Sequence, residues 1–134
     1  MAFTVPNEGE LLFLTRGLTY EGSKLKLYTN DVTWAETSTV GSAIECSTGG
    51  YAQKSLDGVA SASCWSIATG GGGTSEAAYA AQVYTFTSGC TAYGYILTNS
   101  AGSAIIVAEA FTDGPYIIPA GGGTITVTPT VGCN

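Results

Sequence analysis

The side chains in this sequence that could carry acid–base or nucleophilic chemistry are ten carboxylates, four cysteines, three lysines and one arginine, with no histidine. Without an imidazole, neither a Ser-His-Asp nor a Cys-His arrangement can be assembled. Lys24, Lys26 and Lys54 read as solvated strand positions, so a serine or cysteine nucleophile activated by lysine is not expected. Paired carboxylates could serve glycoside hydrolysis, and two pairs stand out, Glu8/Glu10 and Asp31/Glu36. The first fits a helix N-terminus, where the macrodipole favours negative charge. The second sits in a loop and offers oxygens to Ca²⁺, but no D-x-D-x-D pattern accompanies it, and solvated loop acids are the expected reading. The four glycines from Gly70 to Gly73, followed by Thr74-Ser75, look like a phosphate-cradling loop but lack its lysine; they are expected to form a turn leading into another strand. The chain is therefore expected to have no catalytic residue, no metal site and no cofactor, and not to be an enzyme.

The cysteines are Cys46, Cys64, Cys90 and Cys133. None forms a close C-x-x-C pair, which argues against zinc. They are either free, buried thiols acting as small apolar groups or disulfide partners in an oxidising medium. Cys133, next to the last residue, could also bridge to a neighbouring subunit.

The elements that must position these groups are mostly strands. Asn7, Glu10 and the following Leu-Leu-Phe-Leu read as a capped helix over 7–18, with Asn7 at the cap, Glu10 completing a capping box, and Leu11, Leu14 and Leu18 on one face. Gly17 or Gly22 is expected to end it. From Ser23 onward apolar residues alternate with polar ones, the period of a half-buried strand. Strands are expected near 24–28, 43–47, 51–56, 59–68, 82–87, 92–98, 104–111, 116–118 and 124–128, with residues 99–103 as a hairpin connection and Pro129 ending the last. The expectation is an all-β antiparallel sandwich or barrel of about eight short strands with one short N-terminal helix. It is read as a single domain over 1–134: an arm at 1–6, the helix at 7–18 and a β-rich body at 23–131. The aromatics Tyr20, Tyr28, Trp34, Tyr51, Trp65, Tyr79, Tyr84, Tyr93, Tyr95 and Tyr116 could include a glycan-stacking platform or an interface hot spot; most are expected to pack in the core or across strands.

Charged residues make up 10% of the chain, against about 25% in ordinary soluble domains. Mean hydropathy is +0.24, yet no apolar run approaches the roughly 20 residues of a membrane-spanning helix. The apolar surplus is expected to leave patches on the surface, and such patches mark association sites. Net charge is −6 with only four cations, too few to neutralise a track of phosphates, so nucleic acid is not an expected partner. The N-terminus lacks a basic region followed by an apolar core, so no signal peptide is expected and synthesis is placed in the cytosol. The candidate interface residues are Phe3 and Val5 in the arm, Leu11 on the helix, and Tyr116, Ile117 and Ile118 between Pro115 and Pro119.

Two groups of phrases occur in a familiar order. One is Leu25-Lys26-Leu27-Tyr28-Thr29-Asn30-Asp31 followed by Gly50-Tyr51-Ala52-Gln53-Lys54-Ser55-Leu56. The other is Tyr93-Gly94-Tyr95-Ile96-Leu97-Thr98-Asn99-Ser100-Ala101-Gly102, then Ala108-Glu109-Ala110-Phe111, then the closing Gly122-Gly123-Thr124-Ile125-Thr126-Val127-Thr128-Pro129-Thr130. Across residues 8–131 this resembles the small virion structural proteins of tailed bacteriophages, of the capsid decoration (cement) type. The glycine run at 70–73 and Cys133-Asn134 fall outside the pattern. The resemblance implies a β-rich subunit assembled in the host cytoplasm, often as a homotrimer. It would sit on the exterior of an icosahedral head against the major capsid protein, with no enzymatic activity, cofactor, nucleic-acid contact or membrane contact. The alternative is a receptor- or glycan-binding module of a tail fibre or baseplate, working through exposed aromatics beside Asn and Asp.

Overall fold

The structure, a computed structural model, describes residues 5–19, 22–56, 65–69 and 73–133. Within them lie one α-helix, α1 (Asn7–Thr19), and eleven strands. The strands are β1 (Ser23–Tyr28), β2 (Lys54–Leu56), β3 (Ser66–Thr69), β4 (Ser75–Ala78), β5 (Gln82–Phe86), β6 (Cys90–Ala92), β7 (Gly94–Asn99), β8 (Ile105–Ala110), β9 (Tyr116–Ile118), β10 (Gly123–Val127) and β11 (Thr130–Cys133). All pairings are antiparallel. They form a four-stranded sheet β2-β1-β7-β8, a three-stranded sheet β11-β4-β3, and the pairs β10-β5 and β6-β9. The chain is thus mostly β with one N-terminal helix, and sandwich-like in layout.

Alternation explains β1. Leu25 and Leu27 are fully buried on one face, while Lys24 and Lys26 occupy the other. Its partner β7 is buried along most of its length. The β7–β8 connection is held by the Asn99 side chain, whose Oδ1 accepts from the Ser103 and Ala104 amides at 2.8 and 3.2 Å. Gly102 supplies the left-handed turn residue there at φ 72°. One core joins Leu14 and Leu18 of the helix, Leu25, Leu27 and Leu97 of the large sheet, and Tyr84, Phe86, Ile125 and Val127 of the β5–β10 pair.

The helix differs from expectation at its start. The amides of Gly9 and Glu10 donate to the Pro6 carbonyl at 2.8 and 3.1 Å, so Pro6 rather than Asn7 occupies the cap position. Glu10 turns inward with Leu14 and Leu18, 7% exposed, and its Oε2 has no hydrogen-bond partner. The buried stripe follows the 10/14/18 row, which leaves Leu11 only half-buried. Gly17 does not end the helix, which runs on to Thr19; Gly22 adopts φ 74°. Because a Cβ at Gly17 would meet nothing within 4 Å, Gly17→Ala is expected to stabilise the fold by about 0.5–1 kcal/mol through lower backbone entropy in the unfolded chain. A urea titration checks this, and an unchanged or lower midpoint would contradict it.

Several strands also differ. The segment expected at 43–47 forms no strand; it follows a 3₁₀ turn (Val40–Ser42) and makes a single bridge, Glu45 to Tyr28. The strand expected at 51–56 is confined to Lys54–Leu56, and of that expected at 59–68 the described part is Ser66–Thr69. Residues 70–72 of the glycine run lie outside the described residues, and the stretch after it is a strand as expected, β4. The strand expected at 92–98 is broken at Tyr93, whose amide donates to the Tyr28 carbonyl at 2.9 Å. Pro129 does not end the β region: it is buried, and β11 follows it. No helix among the described residues is long and apolar enough to cross a membrane.

Candidate interaction surface

The carboxylates and lysines are dispersed or occupied. Asp31 lines a depression with Tyr28, Val32, Tyr93 and Phe111, whereas Glu36 lines another with Trp34 and Ile106; the two acids do not form a pair. No cluster of three or more potential metal ligands occurs among the described residues. Lys26 is not the solvated lysine the alternation suggested. Its side chain is 13% exposed, and Nζ donates to Glu45 Oε2 at 3.0 Å. Sequence reasoning also missed the Ser23-x-x-Lys26 spacing. In a strand, positions three apart face opposite ways, and Ser23 is buried on the core face while Lys26 lies on the other. The spacing therefore brings no serine to a lysine.

Glu45 also accepts from the Tyr51 hydroxyl at 3.0 Å, and that hydroxyl in turn accepts the Leu27 amide at 3.2 Å. This supplies a partner to the backbone of β1 beyond the end of β2. Tyr51 stacks on Tyr84 with ring centroids 5.6 Å apart, and the Tyr84 hydroxyl donates to the Leu25 carbonyl at 2.8 Å. Lys54 sits over the Tyr84 ring. Toward β8 the Tyr28 hydroxyl donates to the Glu109 carbonyl at 3.2 Å and accepts from Trp34 Nε1 at 3.1 Å, and Tyr95 bonds the Glu109 carboxylate. These four tyrosines are framework, each hydroxyl fastening one element to another.

Burial pushes the Tyr51, Tyr84 and Tyr95 hydroxyls far above their ordinary value of 10.0, reinforced by the negative charge of Glu45 for the first two and by bonding to Glu109 for the third. Tyr28 moves in the same direction, mainly through desolvation. The unfolded chain therefore releases these protons near pH 10 while the native state retains them. The stability these groups contribute is intact below pH 10.0 and is lost as the pH climbs above it. Alkaline titration is expected to show part of the tyrosinate absorbance rising together with loss of circular dichroism. Smooth ionisation of every tyrosine in a still-folded protein would contradict this.

Several large apolar side chains remain on the surface. On α1, Leu12 and Phe13 are 62% and 67% exposed, and Val5 ahead of the helix is also exposed. On β9, Ile117 is 73% exposed and Tyr116 is half-exposed; Ile44 stands out at 61%. Of the expected interface residues, Val5, Tyr116 and Ile117 are outside the core as anticipated and Leu11 is half-buried, while Phe3 lies outside the described residues. Ile118 is a correction. It is 8% exposed and belongs to the core, because the strand period turns it inward opposite Cys90. It lines two open depressions at once. One, of about 320 Å³, lies between β9 and β10, and the other, of about 470 Å³, between residues 44–48 and 89–91. Ile117 is placed beside them, opposite Thr91. Sequence reasoning missed Leu12, Phe13 and Ile44. The run Leu11-Leu12-Phe13-Leu14 carries the signal, since four consecutive apolar residues cannot all face one side of a helix.

Of the described cysteines, Cys46 and Cys90 are buried and Cys133 is partly exposed; all three are free thiols. Cys64 lies outside the described residues. Comparison with family models, with curated proteins and with solved structures gave no match.

Proposed function

We propose that this chain is a non-enzymatic virion subunit of the capsid decoration type, which binds the outside of an icosahedral phage head and stabilises it. The observation that carries the reading is the placement of large apolar side chains outside a well-filled core. Leu12, Phe13, Ile44 and Ile117 are each more than 60% exposed in a chain with 10% charged residues. Exposed apolar surface of this kind is stabilised by being covered. In this reading Tyr116 and Ile117, set beside two concavities, face the major capsid protein, and the exposed Leu12 and Phe13 of α1 meet copies of the chain itself in a homotrimer. A subunit that binds the assembled shell but not its dissociated parts stabilises the shell by mass action. Joining several docking surfaces in one oligomer multiplies modest single contacts.

The receptor- or glycan-binding alternative receives less support. Glycan platforms use exposed aromatic faces, and Tyr28, Trp65, Tyr79, Tyr84 and Tyr95 are all buried. Sedimenting purified protein with phage heads stripped of it tests the proposal. Saturable co-sedimentation with heads, and none with isolated tails, is the expected result; binding to tails alone would favour the alternative.

A further inference from the structure

Cys46 and Cys90 come from elements 44 residues apart, yet their sulfurs touch at 3.0 Å. Cys46 lies on the segment beside β1, with its amide donating to the Leu27 carbonyl at 2.9 Å. Cys90 opens β6, opposite Ile118. The same two elements are fastened immediately alongside. The Thr87 amide donates to the Gly49 carbonyl at 2.8 Å, and the Gly49 amide donates to Ser88 Oγ at 3.0 Å. Gly49 permits this close approach, since a Cβ there would lie 2.7 Å from Thr87 Oγ1. Two small apolar packing residues would not need to meet sulfur to sulfur, and here the flanking bonds hold them so. Cys90 is also the reachable member of the pair: it lines the open depression of about 470 Å³ bounded by Ile44, Thr48, Thr91 and Ile118, while Cys46 lies buried behind it.

We propose that Cys46 and Cys90 are a redox pair that closes to an intramolecular disulfide when the protein passes from a reducing to an oxidising medium, latching the 46–49 segment to β6. The oxidant is a small disulfide such as oxidised glutathione. The Cys90 thiolate attacks one of its sulfurs and expels one glutathione thiolate, giving a mixed disulfide. Cys46 then loses its proton to solvent and attacks the Cys90 sulfur, expelling the second glutathione. Two protein thiols become one disulfide and the oxidant becomes two glutathione thiols, so electrons and protons balance. Because burial holds the Cys90 thiol above its ordinary range, the first attack is slow at neutral pH. The pairing is independent of the virion reading.

The test starts from the unmodified protein, fully reduced and then exposed to oxidised glutathione. Free thiols are blocked with N-ethylmaleimide, and the protein is digested with pepsin at acid pH, where disulfides do not exchange. The expected product is a peptide pair joining Cys46 to Cys90, with the parent monomer lighter by two hydrogen atoms. Bridging a long loop is also expected to raise the melting temperature by about 10 °C relative to the reduced form. That difference should persist in Cys64→Ser/Cys133→Ser and vanish in Cys46→Ser and Cys90→Ser. Recovery of Cys46 and Cys90 as maleimide adducts, as stable glutathione adducts, or joined to other cysteines would overturn the proposal. Peptide mapping of the unmodified protein distinguishes these products even if a serine variant fails to fold.

Discussion

Gly94→Ala is expected to destabilise the protein by at least about 3 kcal/mol, the upper end for overpacking a buried site. Gly94 opens β7 between Tyr28 of β1 and Ala110 of β8. A Cβ there would run into the Glu109 carbonyl oxygen and the Tyr28 hydroxyl, and would stand 2.8 Å from the Ala110 Cα. Two of these three obstacles are backbone, which cannot swing aside as a side-chain tip can. The third is the hydroxyl that ties Trp34 and Glu109 together. The substitution therefore splays β7 from β8 and severs the bond of the Tyr28 hydroxyl in one step. Gly121→Ala is the control, since a Cβ there meets nothing within 4 Å. Urea unfolding of both variants decides the matter. A Gly94→Ala loss no larger than that of the control would show that the close approach of β7 and β8 is not what holds the sheet.

The second large effect concerns the surface. Tyr116→Ser/Ile117→Ser is expected to weaken binding to stripped heads by about 100-fold, as burial of two large apolar side chains contributes on the order of 3 kcal/mol. Thermal stability should fall only modestly, because Ile117 is 73% exposed and Tyr116 gives up a single ring contact, with Phe111 at 4.6 Å between centroids. Leu12→Ser/Phe13→Ser is expected to act differently, shifting the oligomer toward monomer and lowering head affinity only through lost avidity. Co-sedimentation together with analytical ultracentrifugation separates the two. If the β9 double variant binds heads as the parent does, that face is not the docking surface.

How far the sequence led can be judged from particular residues. The strict alternation of Lys24–Tyr28 and of Thr124–Val127, and the breakers around Tyr116–Ile118, located β1, β10 and β9 closely, because a period of two leaves a strand one way to bury its apolar side. Pro129 was misleading. Proline lacks an amide donor, but its carbonyl still accepts the Tyr79 amide at 3.0 Å and guides the chain into β11. Glu10 was misleading too, since a hydrophobicity pattern has no means of turning a carboxylate inward. The exposure of Tyr116 and Ile117 was legible, since their apolar character lacked a strand long enough to bury it. The exposure of Ile44 was not legible, as it depends on how residues 44–46 lie along β1. The Cys46–Cys90 contact is a product of tertiary packing alone, as nothing in the spacing of the two cysteines favours it over another pairing.

Cryo-electron microscopy of virions that carry this chain tests the capsid-decoration reading most directly. The predicted result is ordered density on the exterior of the head, at or near three-fold positions between capsomers, into which the β-rich body fits with β9 toward the shell. Density confined to the tail, or none on the head, would contradict it.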